Sequence, residues 1–175
     1  MLKVIVIIVV ALLAGVLLFA ATKPDSFRVE RSALIKAPPE KIFPYINDFN
    51  AWRAWSPYEK LDPGMQRTLS GAPAGKGAVY AWEGNSKVGK GRMEILESAP
   101  PSKIVIQLDF AFPMDARNIA EFTLVPEGDS TRVTWQMSGP AAFLTKVMQV
   151  FVNMDTLIGK DFAAGLATLK TVTES

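Results

Sequence analysis

From Val4 to Ala21 the chain carries seventeen hydrophobic residues, one glycine and no polar side chain. Eighteen helical residues reach about 27 Å, enough to cross the hydrocarbon core of a bilayer. Thirteen of them are Val, Ile, Leu or Phe, worth roughly −4 to −8 kcal/mol of insertion at mid-membrane values. A buried core helix is the least favoured alternative, because no face of this segment is polar. Lys3 flanks one end and Lys23-Pro24-Asp25 closes the other. A cleaved signal peptide is the rival, with Ala20 and Ala21 as small residues near a cut. Its apolar core should run only about 7–15 residues, and Leu18 and Phe19 are poor three positions before the cut. Residues 1–22 are therefore read as an uncleaved single-pass anchor and residues 23–175 as a soluble domain. Lys23, Arg28, Arg31 and Lys36 follow the run and only Lys3 precedes it. The positive-inside rule would put the domain in the cytoplasm, whereas signal anchors of this shape often run the other way. Both orientations stay open.

The remaining residues lack the usual tools of catalysis. There is no cysteine and no histidine, which excludes disulfides, thiolate nucleophiles, Ser-His-Asp triads and the commonest zinc sites. With 19 basic and 17 acidic residues the net charge is only +2, and no basic run suggests nucleic acid. No cofactor and no metal are expected. Gly71-Ala-Pro-Ala-Gly75-Lys76-Gly77 falls one residue short of a phosphate loop and lacks its Ser/Thr.

Periodicity supplies the architecture. Residues 27–36 alternate as a strand, and Pro38-Pro39-Glu40 opens a short helix over about 39–47. A second helical stretch, 50–55, carries Trp52 and Trp55 and ends at Ser56-Pro57. Six further strands are expected near 64–70, 77–83, 88–97, 103–112, 116–125 and 131–138, each bounded by turn residues. The last 35 residues read as helix. One apolar stripe runs through Phe143, Leu144, Val147, Met148, Phe151 and Val152, and a second through Leu157, Ile158, Phe162, Leu166, Leu169 and Val172. Asn153 and Asp155 predict a break between them. The fold class is α+β, with a sheet of seven antiparallel strands and a long C-terminal helix.

Five segments in this order carry a family resemblance: IKAPPEKIFPYINDFNAWRAWSPYEK (35–60), YAWEGN (80–85), GRMEILESAPPSKI (91–104), FTLVPEGDSTRVTW (122–135) and MDTLIGKDFAAGLATLK (154–170). Together they resemble polyketide cyclase/dehydrase-like members of the START-related helix-grip superfamily (SRPBCC). The resemblance covers about 27–173. It implies a curved sheet gripping the C-terminal helix around an apolar cavity, and it names no ligand, since fold does not fix function. The anchor then places the chain in a membrane, read as a bacterial inner membrane.

Strand alternation selects the residues that would face that cavity. Even positions on 103–112 are apolar, giving Leu108, Phe110 and Phe112. Phe122, Trp135 and Met137 follow the same parity, and Tyr80, Trp82 and Met93 are assigned inward on the earlier strands. From the helices, Phe162 and Leu166 face the sheet. Trp52 and Trp55 are expected to pin the short helices, Trp55 also touching the ligand. Trp135 is expected to be only partly packed, so that Trp135→Ala costs less than the ~3–5 kcal/mol of a fully packed tryptophan. The small residues Gly159, Ala163, Ala164 and Gly165 are read as points of close helix–sheet approach.

Three functions fit these expectations. A membrane-anchored module binding a lipid or other hydrophobic small molecule would show a dry inner face. A cyclase or dehydratase acting on a bulky apolar substrate would need a buried Asp, Glu or Tyr–Arg pair, because spacing alone reveals no catalytic constellation. A protein-interaction domain would have its cavity filled. The binding module is the reading adopted.

Overall fold

A computed structural model describes all residues, Met1–Ser175. Helix α1 (Leu2–Ala21) is long and apolar enough to cross a membrane. Strand β1 (Ser26–Ile35) follows, then α2 (Pro39–Asn47), with proline and Glu40 in its first turn, and a 3₁₀ turn at Ala51–Ala54. A four-residue helix α3 (Tyr58–Leu61) then opens after Pro57, where sequence periodicity shows nothing. The meander comprises β2 (Gln66–Gly71), β3 (Ala78–Glu83), β4 (Lys90–Ala99), β5 (Lys103–Phe112), β6 (Ala116–Glu127) and β7 (Ser130–Pro140). Helices α4 (Phe143–Phe151) and α5 (Met154–Glu174) close the chain. The break between them falls at Val152-Asn153, where the Asn153 side chain accepts from the Thr156 N–H and caps α5.

All seven strands form one antiparallel sheet in the order β1-β7-β6-β5-β4-β3-β2. Only β1 leaves sequence order: it pairs with β7, Ser26 opposite Pro140 and Ile35 opposite Thr131. Register shifts in the β4–β5 pair interrupt the ladder at Ile95/Glu97 and Lys90/Gly91. Bulges of this kind bend a sheet and increase its twist, suiting it to wrap α5. The β2–β3 connection, phosphate-loop-like in sequence, is a structural tie. Its Gly75 and Gly77 N–H groups donate to the Asn47 and Ile95 carbonyls at 2.9 and 2.8 Å, and positive φ at both positions requires glycine.

Helix α5 lies on the inner face of the sheet and buries Phe162, Leu166 and Leu169 there. Two glycines permit the close approach. A Cβ at Gly165 would stand 2.9 Å from both Trp135 and Pro57, and one at Gly159 would displace the Arg31 guanidinium, which forms a bidentate pair with Asp155. Ala163 and Ala164, by contrast, face outward.

Candidate functional site

The space between sheet and helix divides into a packed half and an open half. The packed half is aromatic. Trp135 stacks on Phe162 with centroids 4.0 Å apart and ring planes within 9°, and on Phe122 at 5.0 Å from its other neighbouring strand. Trp52 and Trp55 close edge-on over Phe122 and Trp135 at 5.6–6.4 Å. These aromatics, with Leu166 and Leu169, fill the interior beneath the short helices.

Beyond them lies a cavity of about 420 Å³ lined by 28 residues, 20 of them hydrophobic. That size falls within the range of small-molecule sites. Eight of the twelve residues singled out from the sequence stand in its wall: Tyr80, Trp82, Met93, Leu108, Phe110, Trp135, Met137 and Phe162. Four do not. Trp55 and Phe122 are fully buried in the aromatic cluster and Leu166 lies in the same packed core, so close packing has taken them out of reach. Phe112 is half exposed, because the ladder pairs Gly91 with Phe110 and Lys90 with Phe112, an extra residue that breaks the alternation. Trp52, assigned to pinning alone, pins and also lines the cavity.

Trp135 departs from expectation as well. It is 3% exposed and stacked on both sides, so the open space reaches its edge rather than its faces.

The wall also carries polar groups that the sequence reading missed. Glu59 of α3 accepts from the Tyr80 hydroxyl and from Arg67 Nε, both at 2.7 Å, and its side chain is only 9% exposed. Burial, then the Glu59 carboxylate, raise the Tyr80 pKa, keeping the phenol protonated at neutral pH. Burial likewise raises Tyr58, assisted by the charge on Asp161. Asp161 lines the cavity one residue before Phe162 and has no hydrogen-bond or ion-pair partner; burial raises its pKa against the opposing charge of Lys160.

Two residues of the wall also hold a buried polar atom without a hydrogen-bond partner, packed away from the open space: Asn118 Oδ1 and Trp135 Nε1. The contrast among the four tryptophans is informative. Trp52, Trp55 and Trp82 donate to the Ile46, Tyr45 and Val88 carbonyls at 2.9, 2.8 and 2.9 Å. Asn118 was legible in principle, since it shares the inward parity of Ala120, Phe122 and Leu124. It sits against Gly139 on β7, where any Cβ would meet its side chain.

The Asp161 environment gives a pH-dependent expectation. A carboxylate with a raised folded-state pKa loses stability as pH climbs from its unfolded value through its folded one. Asp161→Asn should therefore leave melting unchanged near pH 3 and raise the melting temperature at pH 7. Thermal melts at the two pH values check this; an equal effect at both would deny the burial cost.

The exposed members of the wall, including Lys87, Pro113, Ala116, Pro140 and Leu157, mark the mouth. They come from the β3–β4 turn, the β5–β6 turn, the end of β7 and the start of α5. By register, all the sheet contributions lie at the end where β1 begins.

Residues 26–174 match the family model described as polyketide cyclase / dehydrase and lipid transport. The chain belongs to that family. A search of curated proteins finds no match. Among solved structures, CV1439 from Chromobacterium violaceum is 18% identical with a TM-score of 0.60, covering 87% of this chain and 99% of its own. The Aha1 dimer from Colwellia psychrerythraea is 17% identical with a TM-score of 0.60, covering 85% and 96%. The di-domain ARO/CYC BexL from the BE-7585A biosynthetic pathway is 12% identical with a TM-score of 0.63, covering 90% of this chain and 53% of that one. At these identities the likeness is one of fold: the helix-grip architecture that the sequence resemblance implied.

Proposed function

We propose that the chain is a membrane-anchored carrier or receptor for an amphiphilic small molecule or lipid, held in the cavity between the sheet and α5. The observation that supports this most is the cavity itself: about 420 Å³ with 20 hydrophobic residues among its 28, and a carboxyl in its wall, Asp161, that has no partner. The apolar lining suits a hydrocarbon body, and Asp161 offers a polar contact to a hydroxyl, amide or ammonium group at its end. Helix α1 serves as the anchor.

Cis-parinaric acid tests the reading, because its polyene accepts energy from nearby tryptophan. Full-length protein in detergent should show saturable transfer, and Ala120→Phe, which places a ring in the cavity, should abolish it. Equal transfer in wild type and Ala120→Phe would reject the cavity as the site.

An enzyme is the second reading, favoured by the carboxylates in the wall. Both Glu59 oxygens are occupied by donors, which makes Glu59 a brace. Asp161 is the free acid–base group, and a catalytic role for it would show as turnover lost in Asp161→Asn with probe binding retained.

A further inference from the structure

Helix α4 is built inside out. Its only charged residue, Lys146, is buried, while Phe143, Leu144, Met148 and Phe151 are 51, 59, 41 and 71% exposed. Leu144, Met148 and Phe151 fall at i, i+4 and i+7 and so share one face, and Val152 extends it at 40% exposure. The stripe expected from periodicity is present, but it points away from the protein. Contiguous apolar surface of this kind marks an interaction site.

The anchor identifies what covers it. Helix α1 packs against α4, burying Ala20. Only Thr22–Pro24 separate α1 from Asp25, whose carbonyl accepts from the Ala141 N–H at 2.8 Å and whose carboxylate pairs with Lys146. Four residues of extended chain, from Ala21 to Asp25, span at most about 14 Å. Lys23 folds back over the Phe19 ring, 4.6 Å from its centroid, as a cation does where a span leaves the hydrocarbon. With α1 inserted, the exposed face of α4 is thus held within reach of the lipid boundary. The cavity mouth lies at the same end, with Thr145 of α4 and Met154 and Leu157 of α5 in the wall.

We propose that α4 lies in the bilayer interface with Leu144, Met148 and Phe151 among the lipids, so that the cavity opens onto the membrane and exchanges its ligand laterally with it. The proposal rests on the anchor and cavity readings above. It names the ligand class as molecules that partition into bilayers rather than solutes delivered from water. Interfacial helices of this type sink their apolar face about 5–10 Å into the headgroup–acyl boundary.

The chain has no cysteine, so single substitutions give unique labelling sites. Full-length Leu144→Cys, Phe151→Cys, Ala11→Cys and Asp129→Cys, each carrying an NBD fluorophore, would be reconstituted without ligand in phosphatidylcholine vesicles. Some vesicles would carry nitroxides near the acyl carbonyl and others near the chain terminus. Ala11 reports on the span. Asp129, exposed in the turn at the opposite end of β7, should stay in water. The expected result is strong quenching of 144 and 151 by the shallow nitroxide, weaker by the deep one, the reverse for 11, and none for 129. Quenching at 11 with none at 144 and 151 would overturn the proposal while leaving the anchor intact. Labels at 144 and 151 shielded from aqueous dithionite yet unquenched by lipid would overturn it in favour of a second copy or another protein on that face. No quenching at 11 would remove the anchor on which the proposal depends and overturn it too. None of these outcomes bears on cavity binding, which the parinaric acid titration reads separately.

Discussion

Trp135→Ala is expected to cost about 3–5 kcal/mol of folding stability, the full range for deleting a packed tryptophan. The ring is 3% exposed and sandwiched between Phe162 on α5 and Phe122 on β6, so its removal takes away the stack that joins helix to sheet. Trp52 and Trp55 rest edge-on against it, and they lose support at the same moment. Trp135→Phe should cost far less, since a ring still fills the stack and the unpartnered N–H disappears. Denaturant melts of the full chain, followed by near-UV circular dichroism, separate the two variants. A loss in Trp135→Ala well below 3 kcal/mol would mean that the cavity extends over the ring face.

Glu59→Ala should be nearly as damaging, at about 3–5 kcal/mol, the usual consequence of removing one partner of a buried ion pair. Arg67 would keep its charge at 16% side-chain exposure with one remaining bond, to the Met65 carbonyl. The Tyr80 hydroxyl would lose its acceptor. Helix α3, whose Tyr58 packs against the core, would lose the ion pair that fixes it where it closes the cavity. Glu59→Gln retains an acceptor for Tyr80 and should fall between Glu59→Ala and wild type. A Glu59→Ala cost under about 1 kcal/mol would place the cluster among surface ion pairs.

The strand plan could be read from the sequence because apolar alternation is enforced wherever one face of a sheet is buried. Ile104, Ile106 and Leu108 show it cleanly, and the strand order needs only β1 to cross to β7. Alternation could not reveal the extra residue that turns Phe112 outward, because a bulge is a property of two strands together. Nor could it divide the inward aromatics into packed and cavity-lining sets. Phe122 shares type and inward strand parity with Phe110; only the placement of the short helices, which bring Trp52 and Trp55 over it, separates them. Glu59 and Tyr58 escaped because a single helical turn after a proline has no periodicity to detect. Asn118 was visible as a polar residue of inward parity between apolar neighbours, a signal that apolar counting passes over. Helix α4 shows the opposite failure. Periodicity identifies its apolar stripe, but says nothing about which medium the stripe faces.

The cavity claim meets its most direct test in native mass spectrometry of the full chain, purified in mild detergent from its expression membranes, beside Ala120→Phe. Both proteins carry α1 and therefore the same opportunity for lipid to adhere to the anchor, so the difference between them reports on the cavity. Wild type is expected to retain an amphiphile at one per chain that survives detergent removal, and Ala120→Phe to lose it while keeping the wild-type circular dichroism spectrum. Identical adduct patterns in the two proteins, or none in either, would contradict a cavity that holds a ligand.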